Sequence, residues 1–241
     1  MKIPFSKVDC SGKEKNYIQQ VLDSGWLTTA SKALEFEKRF TEIIGVKYSF
    51  AVNSCTSALH LALDSIGISE GDKVLLPSMT FTSTAEVVRY LGGIPIFLDV
   101  EYGNSQLSEE IVEKALKKYA NVKAVIVVEF AGQPAPVLSK ICKKYDVKLI
   151  SDAAHAFPSR IGNMLVGNFA DITCFSFYAN KTITTGEGGM LVTNDSKIAE
   201  RVKLMRLHGI DRAVWNRFNS DKPAWEYDVI QAGYKYNMPD I

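Results

Sequence analysis

Ala124-Val-Ile-Val-Val-Glu-Phe130 is the stretch on which the fold turns. Its apolar side chains follow one another without alternation, so both faces of the strand it predicts must be covered. That is the pattern of a parallel sheet with helices on either side. Gly132-Gln133-Pro134 closes the run. Similar short runs recur outward from it. Val147-Lys-Leu-Ile-Ser151 follows, ending at Asp152. Lys73-Val-Leu-Leu76 (closed by Pro77), Ile94-Pro-Ile-Phe-Leu-Asp-Val100 and Tyr48-Ser-Phe-Ala-Val52 precede it. Helical patterns lie between them, at 58–66, from about 85 to 91, at 108–119 and from about 137 to 145, with a last one at about 197–207. Strands alternating with helices from residue 48 to 208 predict an α/β fold, a doubly wound, mostly parallel sheet with helices on both faces.

Ahead of the first strand the pattern is helical. Residues 13 to 23 place Tyr17, Ile18, Val21 and Leu22 on one side of a short helix. Phe36, Phe40, Ile43 and Ile44 fall at i, i+4, i+7 and i+8 with charged residues between them, and Gly45 is placed to end that helix. Residues 211 to 231 read as a long loop, a feature often tied to function.

Composition narrows the classes. Hydrophobic residues make up 46% of 241, enough for a substantial core, and a formal charge of +1 gives no field directed at nucleic acid or an anionic membrane. Cys10, Cys55, Cys142 and Cys174 form no CxxC pair and no metal-ligand spacing, so they read as reduced thiols of a cytoplasmic protein. The first residues lack the apolar segment of a signal peptide, and no apolar stretch is long enough to span a bilayer.

The chemistry gathers in Ile172-Thr-Cys-Phe-Ser-Phe-Tyr-Ala-Asn-Lys-Thr-Ile-Thr-Thr-Gly-Glu-Gly-Gly-Met190. A buried strand breaks there into a polar turn carrying one lysine, Lys181. A lysine at such a strand end is either a solvated loop residue or a partly desolvated amine. Desolvation disfavours the ammonium form and readies the amine to attack a carbonyl. Ser176 offers a hydroxyl from the same strand end, and Gly186, Gly188 and Gly189 let backbone approach a bound group closely. Asn53-Ser-Cys-Thr-Ser57 lies between a strand and a helix, so these residues either cap the helix or hold an anion at its N-terminus. Phe81, at another strand-to-helix junction, is either core or a ring that lies flat on a planar ligand. Asp152, at the carboxyl end of its strand, is either a capping carboxylate or an acid facing the crevice where such sheets bind ligands.

These motifs, with two others, resemble the DegT/DnrJ/StrS family of nucleotide-sugar aminotransferases, which use pyridoxal phosphate (PLP) on the type I aminotransferase fold. Ser176-Phe-Tyr-Ala-Asn-Lys181-Thr-Ile-Thr-Thr-Gly-Glu-Gly-Gly-Met is similar to that family's Schiff-base lysine segment. Val52-Asn-Ser-Cys-Thr-Ser-Ala-Leu-His-Leu-Ala-Leu63 resembles its phosphate cup, which implies that the amides of Thr56 and Ser57 hold the PLP phosphate. The resemblance implies Phe81 as the stacking ring, Asp152 as the partner of the pyridine nitrogen, and His155 as a neighbour of the ring oxygen. Gly233-Tyr-Lys-Tyr-Asn237-Met resembles the segment whose Asn reaches the PLP phosphate of the neighbouring subunit. Gly25-Trp26-Leu-Thr-Thr29 is a common opening near the substrate entrance, although Ala30 stands where a glycine often follows. Glu129 and Phe130 replace a histidine that many relatives carry, and Glu101-Tyr-Gly-Asn-Ser-Gln106 departs from the Thr-x-Asn pattern, so no function is carried onto either.

The resemblance implies a homodimer with shared sites. It implies catalysis by Lys181 and Asp152, an amino acid donor (glutamate in most relatives) and a keto-sugar nucleotide acceptor. Related PLP-dependent sugar dehydratases replace the lysine with histidine, which ranks that activity behind transamination. Family members continue into a smaller C-terminal domain. Residues 1–241 are therefore expected to be the PLP-binding large domain, with a helical segment over about 1–45. A non-catalytic or split-gene fragment is the other reading.

Overall fold

The computed structural model describes residues 3–4, 6–211 and 226–241. The loop expected at 211–231 lies mostly outside these residues. Seven strands form one sheet: β1 (Tyr48–Val52), β2 (Lys73–Pro77), β3 (Ile94–Leu98), β4 (Val122–Val128), β5 (Lys148–Asp152), β8 (Ile172–Ser176) and β9 (Gly189–Thr193). Their order is β1-β9-β8-β5-β4-β2-β3. Strand β9 runs antiparallel to both neighbours, and every other pairing between β8 and β3 is parallel.

The decisive run behaves as its composition requires. In β4, Ala124 and Ile126 point into one hydrophobic cluster while Val125 and Val127 point into another, and all four are buried. The first cluster is closed by α3 (Cys55–Ser65), α4 (Thr82–Tyr90) and α7 (Ser196–Met205), through residues such as Leu61, Val87 and Val202. The second is closed by α5 (Glu109–Lys118) and α6 (Ser139–Lys144), through Leu116 and Ile141. A third lies under α2 (Ser31–Ile44), where Phe40 packs edge-on against Phe175 and Phe177. Each aliphatic or aromatic side chain so buried contributes about 1.5–3 kcal/mol against the chain entropy lost.

Boundaries moved where capping decides them. Helix α3 starts at Cys55, three residues before Ala58, because the Ser54 hydroxyl accepts from the Ser57 amide and caps the helix there. Strand β4 ends at Val128, so Glu129 and Phe130 lie just beyond it, and Phe130–Gly132 forms a single 3-10 turn. Gly45 ends α2 in a left-handed conformation (φ 81°), as the sequence indicated.

Two apolar faces are less covered than their patterns suggest. In α1 (Glu14–Ser24) only Val21 is buried, while Tyr17, Ile18 and Leu22 remain exposed. On α2, Ile43 is 55% exposed. A small hairpin, β6 (Arg160–Ile161) with β7 (Met164–Leu165), was not legible in the sequence. Among the described residues, no helix is long and apolar enough to cross a membrane.

Candidate active site

The parallel strands end on one edge of the sheet, and a cavity of about 500 Å³ opens there. Each wall comes from the residues just past a strand. Ser54, Cys55 and Thr56 follow β1. Thr80 and Phe81 follow β2, and Glu129 and Phe130 follow β4. Asp152 ends β5, with Ala154 and His155 after it. Ser176 ends β8, and Tyr178 and Lys181 come from the turn beyond it. Ligands of open α/β sheets bind at this edge because the loops and helix N-termini converge there.

Asp152 is 4% exposed. Its Oδ2 accepts from the Thr84 hydroxyl at 2.8 Å, and its Oδ1 accepts from the Ala154 amide at 3.2 Å. The Cys55 thiol, kept protonated by burial, lies 4.0 Å from the same Oδ1. A carboxylate cannot donate, so the Thr84 hydroxyl spends its proton on Asp152 and accepts from Thr80 Oγ1 at 2.7 Å. Burial raises the Asp152 pKa, against the opposing effect of these hydrogen bonds. No ion pair to Asp152 is present among the described residues. A buried carboxylate without a fixed cation is a site shaped for a cationic ring nitrogen.

Lys181 is half-buried at the mouth of the same cavity, in a turn closed by its amide donating to the Tyr178 carbonyl at 3.0 Å. Burial lowers its pKa, and the charge of Asp152 pulls the other way. Burial likewise lowers the His155 pKa, reinforced by Lys181. The two groups therefore keep neutral forms to lower pH than they would in water. Phe81 is 74% exposed at the rim, which excludes the core reading and leaves a ring face free for a planar ligand.

The N-terminus of α3 forms the opposite wall. Cys55 and Thr56 line the cavity at the first turn, where amides lack intrahelical partners. Ser57 does not line it. Its amide is taken by Ser54 Oγ at 3.1 Å and its hydroxyl donates to Asn53 Oδ1 at 2.6 Å. Asn237 also lies outside the wall, 8% exposed, donating to Thr29 Oγ1 at 2.6 Å. The cavity thus brings together Lys181, Asp152, His155, Ser176, Phe81 and Thr56, but not Ser57 or Asn237.

The glycines approach protein more than ligand. A Cβ on Gly189 would lie 2.5 Å from the Ser54 carbonyl carbon, so β9 is seated directly against the α3 N-terminus. Gly186 takes a left-handed φ of 80° in the turn, and Gly188 alone of the three lines the cavity. Sequence reasoning missed Thr84. Its only signal was a hydroxyl four residues after Thr80, on the side of α4 that faces the core.

This sheet, with its lysine, buried carboxylate and helix N-terminus on one edge, is the large-domain fold of the type I PLP-dependent aminotransferases. The chain belongs to the DegT/DnrJ/EryC1/StrS aminotransferase family, which it matches over residues 9–241. It is 37% identical over 241 residues to the spore coat polysaccharide biosynthesis protein SpsC of Bacillus subtilis, covering 99% of this chain and 61% of that protein. An uncharacterized protein of Methanocaldococcus jannaschii is 41% identical over 235 residues, covering 96% and 60% of the two chains. The chain thus spans about three fifths of these relatives' length. Among solved structures, Helicobacter pylori PseC, an aminotransferase involved in pseudoaminic acid biosynthesis, aligns with a TM-score of 0.88 at 32% identity, over 100% of this chain and 62% of that one. Spr1654 of Streptococcus pneumoniae, a candidate sugar aminotransferase in its PLP form, aligns at 0.89 and 30% identity, over 100% and 64%.

Proposed function

We propose that residues 1–241 are the PLP-binding large domain of a cytoplasmic aminotransferase that moves an amino group from an amino acid, glutamate by preference, to a keto-sugar nucleotide. The observation that supports it is the pairing, in one cavity, of a half-buried lysine with a buried carboxylate that makes no ion pair among the described residues. Bound PLP supplies an electron sink, which is strong only while its ring nitrogen is protonated.

The residues divide the work. Lys181 would hold the cofactor through its amine, whose pKa burial lowers. The same side chain would be the base that takes a proton from the substrate carbon and returns it nearby. Asp152 accepts the hydrogen bond of the ring nitrogen, and Thr84 fixes the carboxylate plane. Phe81 covers one ring face. The Cys55 and Thr56 amides, with the helix dipole behind them, take the phosphate.

The test is to incubate the purified protein with PLP and record its absorbance and mass before and after borohydride reduction. A reduced adduct on Lys181 is expected, and Lys181→Ala is expected to abolish it with the circular dichroism unchanged. An adduct on another lysine overturns the assignment. Incubation with glutamate and a keto-sugar nucleotide then checks the substrates, an amino sugar being the expected product.

A further inference from the structure

We propose that the turn from Glu129 to Ala135 holds the His155 ring in the tautomer protonated on Nε2, making His155 a hydrogen-bond donor into the cavity, with Glu129 as the positioning residue of that turn. The Ala131 amide points at His155 Nδ1 over 3.3 Å. A backbone N–H can only donate, so Nδ1 accepts and carries no proton. In a neutral imidazole the single proton then sits on Nε2. The ring favours the neutral form because burial and the nearby Lys181 both lower its pKa, outweighing Asp152.

The amide reaches Nδ1 only because the backbone turns unusually there. Ala131 has φ 52° and Gly132 φ 82°, both in the left-handed region, which a residue with a Cβ rarely enters. Such a conformation persists only where its surroundings fix it. Glu129 does so at both ends of the turn. One carboxylate oxygen, Oε1, accepts from Ser151 Oγ at 2.6 Å, anchoring the turn to β5. The other accepts from the Ala135 amide where the turn finishes. On its far side Ser159 Oγ donates to the Gly132 carbonyl at 2.6 Å, tying the turn to the segment that follows His155. A Cβ on Gly132 would come within 3.1 Å of the His155 carbonyl oxygen, so the two segments lie in contact.

Glu129 is 3% exposed and sits at the cavity wall beside a second buried acid, Asp152. Burial raises its pKa against the two hydrogen bonds it accepts. An acid kept in so unfavourable a place, with both oxygens committed to the frame of one turn, is accounted for by what that turn holds. The ligand group His155 would meet is an oxygen acceptor, a phenolate or carbonyl oxygen on a planar ring. That last step rests on the PLP reading above; the tautomer does not.

The experiment reads the ring nitrogens directly. The chain has three histidines, so nitrogen-15 labelling of histidine and a long-range proton–nitrogen spectrum, with His155→Gln used for assignment, give one resolved pattern for His155. Without ligand, at neutral pH, the expected pattern is a pyridine-like Nδ1 and a pyrrole-like Nε2. A protonated Nδ1, or shifts averaged between the two forms, overturns the proposal. Glu129→Gln retains an acceptor for Ala135 and a partner for Ser151, and should keep the single tautomer. Glu129→Ala should lose it. If Glu129→Ala does not fold, Ser151→Ala, which removes one anchor, is read in the same way. An unchanged tautomer in the truncated variant removes Glu129 from the role. Failure of the PLP reading would show as no reducible adduct and would leave these spectra unchanged, so the two failures are separable.

Discussion

The carboxylate of Asp240 caps the helix that begins beside Ala30. Asp240 Oδ1 accepts from the Ala30 amide at 2.7 Å and from the Ala33 amide at 3.0 Å, while Oδ2 accepts from the Lys32 amide at 3.0 Å. Ala30 has no side-chain acceptor of its own, so a residue 210 positions away supplies one. The same clasp fixes the loop before the helix, because Asp240 donates to the Leu27 carbonyl and Thr29 donates to that of Met238. Asp240→Ala should therefore destabilise the fold by about 0.5–2 kcal/mol, the cost of a lost cap. Urea denaturation measures it. An Asp240→Asn variant should recover most of the loss, and equal stability of Asp240→Ala and the parent would refute the cap.

Gly189 carries a steric demand rather than a conformational one. A methyl there meets the Ser54 carbonyl carbon and oxygen and the Cys55 nitrogen within 2.6 Å, all backbone atoms with no rotamer to yield. Gly189→Ala must push β9 away from the α3 N-terminus, at about 1–3 kcal/mol for overpacking. The wall carrying the Cys55 and Thr56 amides moves with it. PLP should bind at least several-fold more weakly, measured by equilibrium titration, and unchanged affinity would detach the phosphate site from this helix.

These two contacts show what a sequence hides. The unbroken apolar run of β4 declares a sheet covered on both faces, because each residue type reports its own burial. That Lys181, Asp152 and His155 line one cavity was legible for a similar reason, since each ends or follows a readable strand. The fates of Thr56 and Ser57 were not separable, because the choice depends on where the Ser54 hydroxyl turns. Thr84 meets Asp152 across 68 residues, and no local pattern encodes that distance. Strands of two residues, such as β6, are too short to show a period. Tyr17, Ile18 and Leu22 make a readable helix stripe, yet whether a stripe is covered is a property of the neighbours.

Asp152 sets stability against function. Its folded-state pKa lies above the unfolded value, so the folded chain binds this proton more tightly than the unfolded chain does. The stability it contributes is full below the unfolded pKa and is lost as pH rises through the raised folded value. At neutral pH its charge is a cost to the unliganded protein. Asp152→Asn should then stabilise the unliganded chain at pH 7 by on the order of 1 kcal/mol, a rise in Tm of roughly 2–4 °C for a domain of this size, and the gain should vanish in acid. The variant should still bind PLP but convert glutamate far more slowly, because the ring nitrogen has lost its anionic partner. A parent and variant that melt alike at pH 7 and react alike with glutamate would take Asp152 out of the site.

Asn237 decides between a private and a shared site. We propose a homodimer in which each chain's Asn237 completes the phosphate site of the other, pairing identical surfaces about a two-fold axis. Exposed Tyr17, Ile18 and Leu22 supply apolar surface of the kind that drives such association. Within its own chain, Asn237 donates to Thr29 Oγ1, accepts from Lys235, and pairs its backbone with Val52 just ahead of the α3 N-terminus. Removing Asn237 therefore has two consequences that must be parted. Loss of the Thr29 bond should cost about 1 kcal/mol of stability, and Thr29→Val, which also removes the Thr29 bond to the Met238 carbonyl, should cost at least as much. Only the shared role predicts that Asn237→Ala weakens PLP binding while Thr29→Val does not, and that diluting the parent to monomers weakens it as well. Light scattering reports the assembly and fluorescence titration the affinity. A monomer at all concentrations, binding PLP tightly with Asn237→Ala and Thr29→Val indistinguishable, would leave Asn237 as a clasp within one chain.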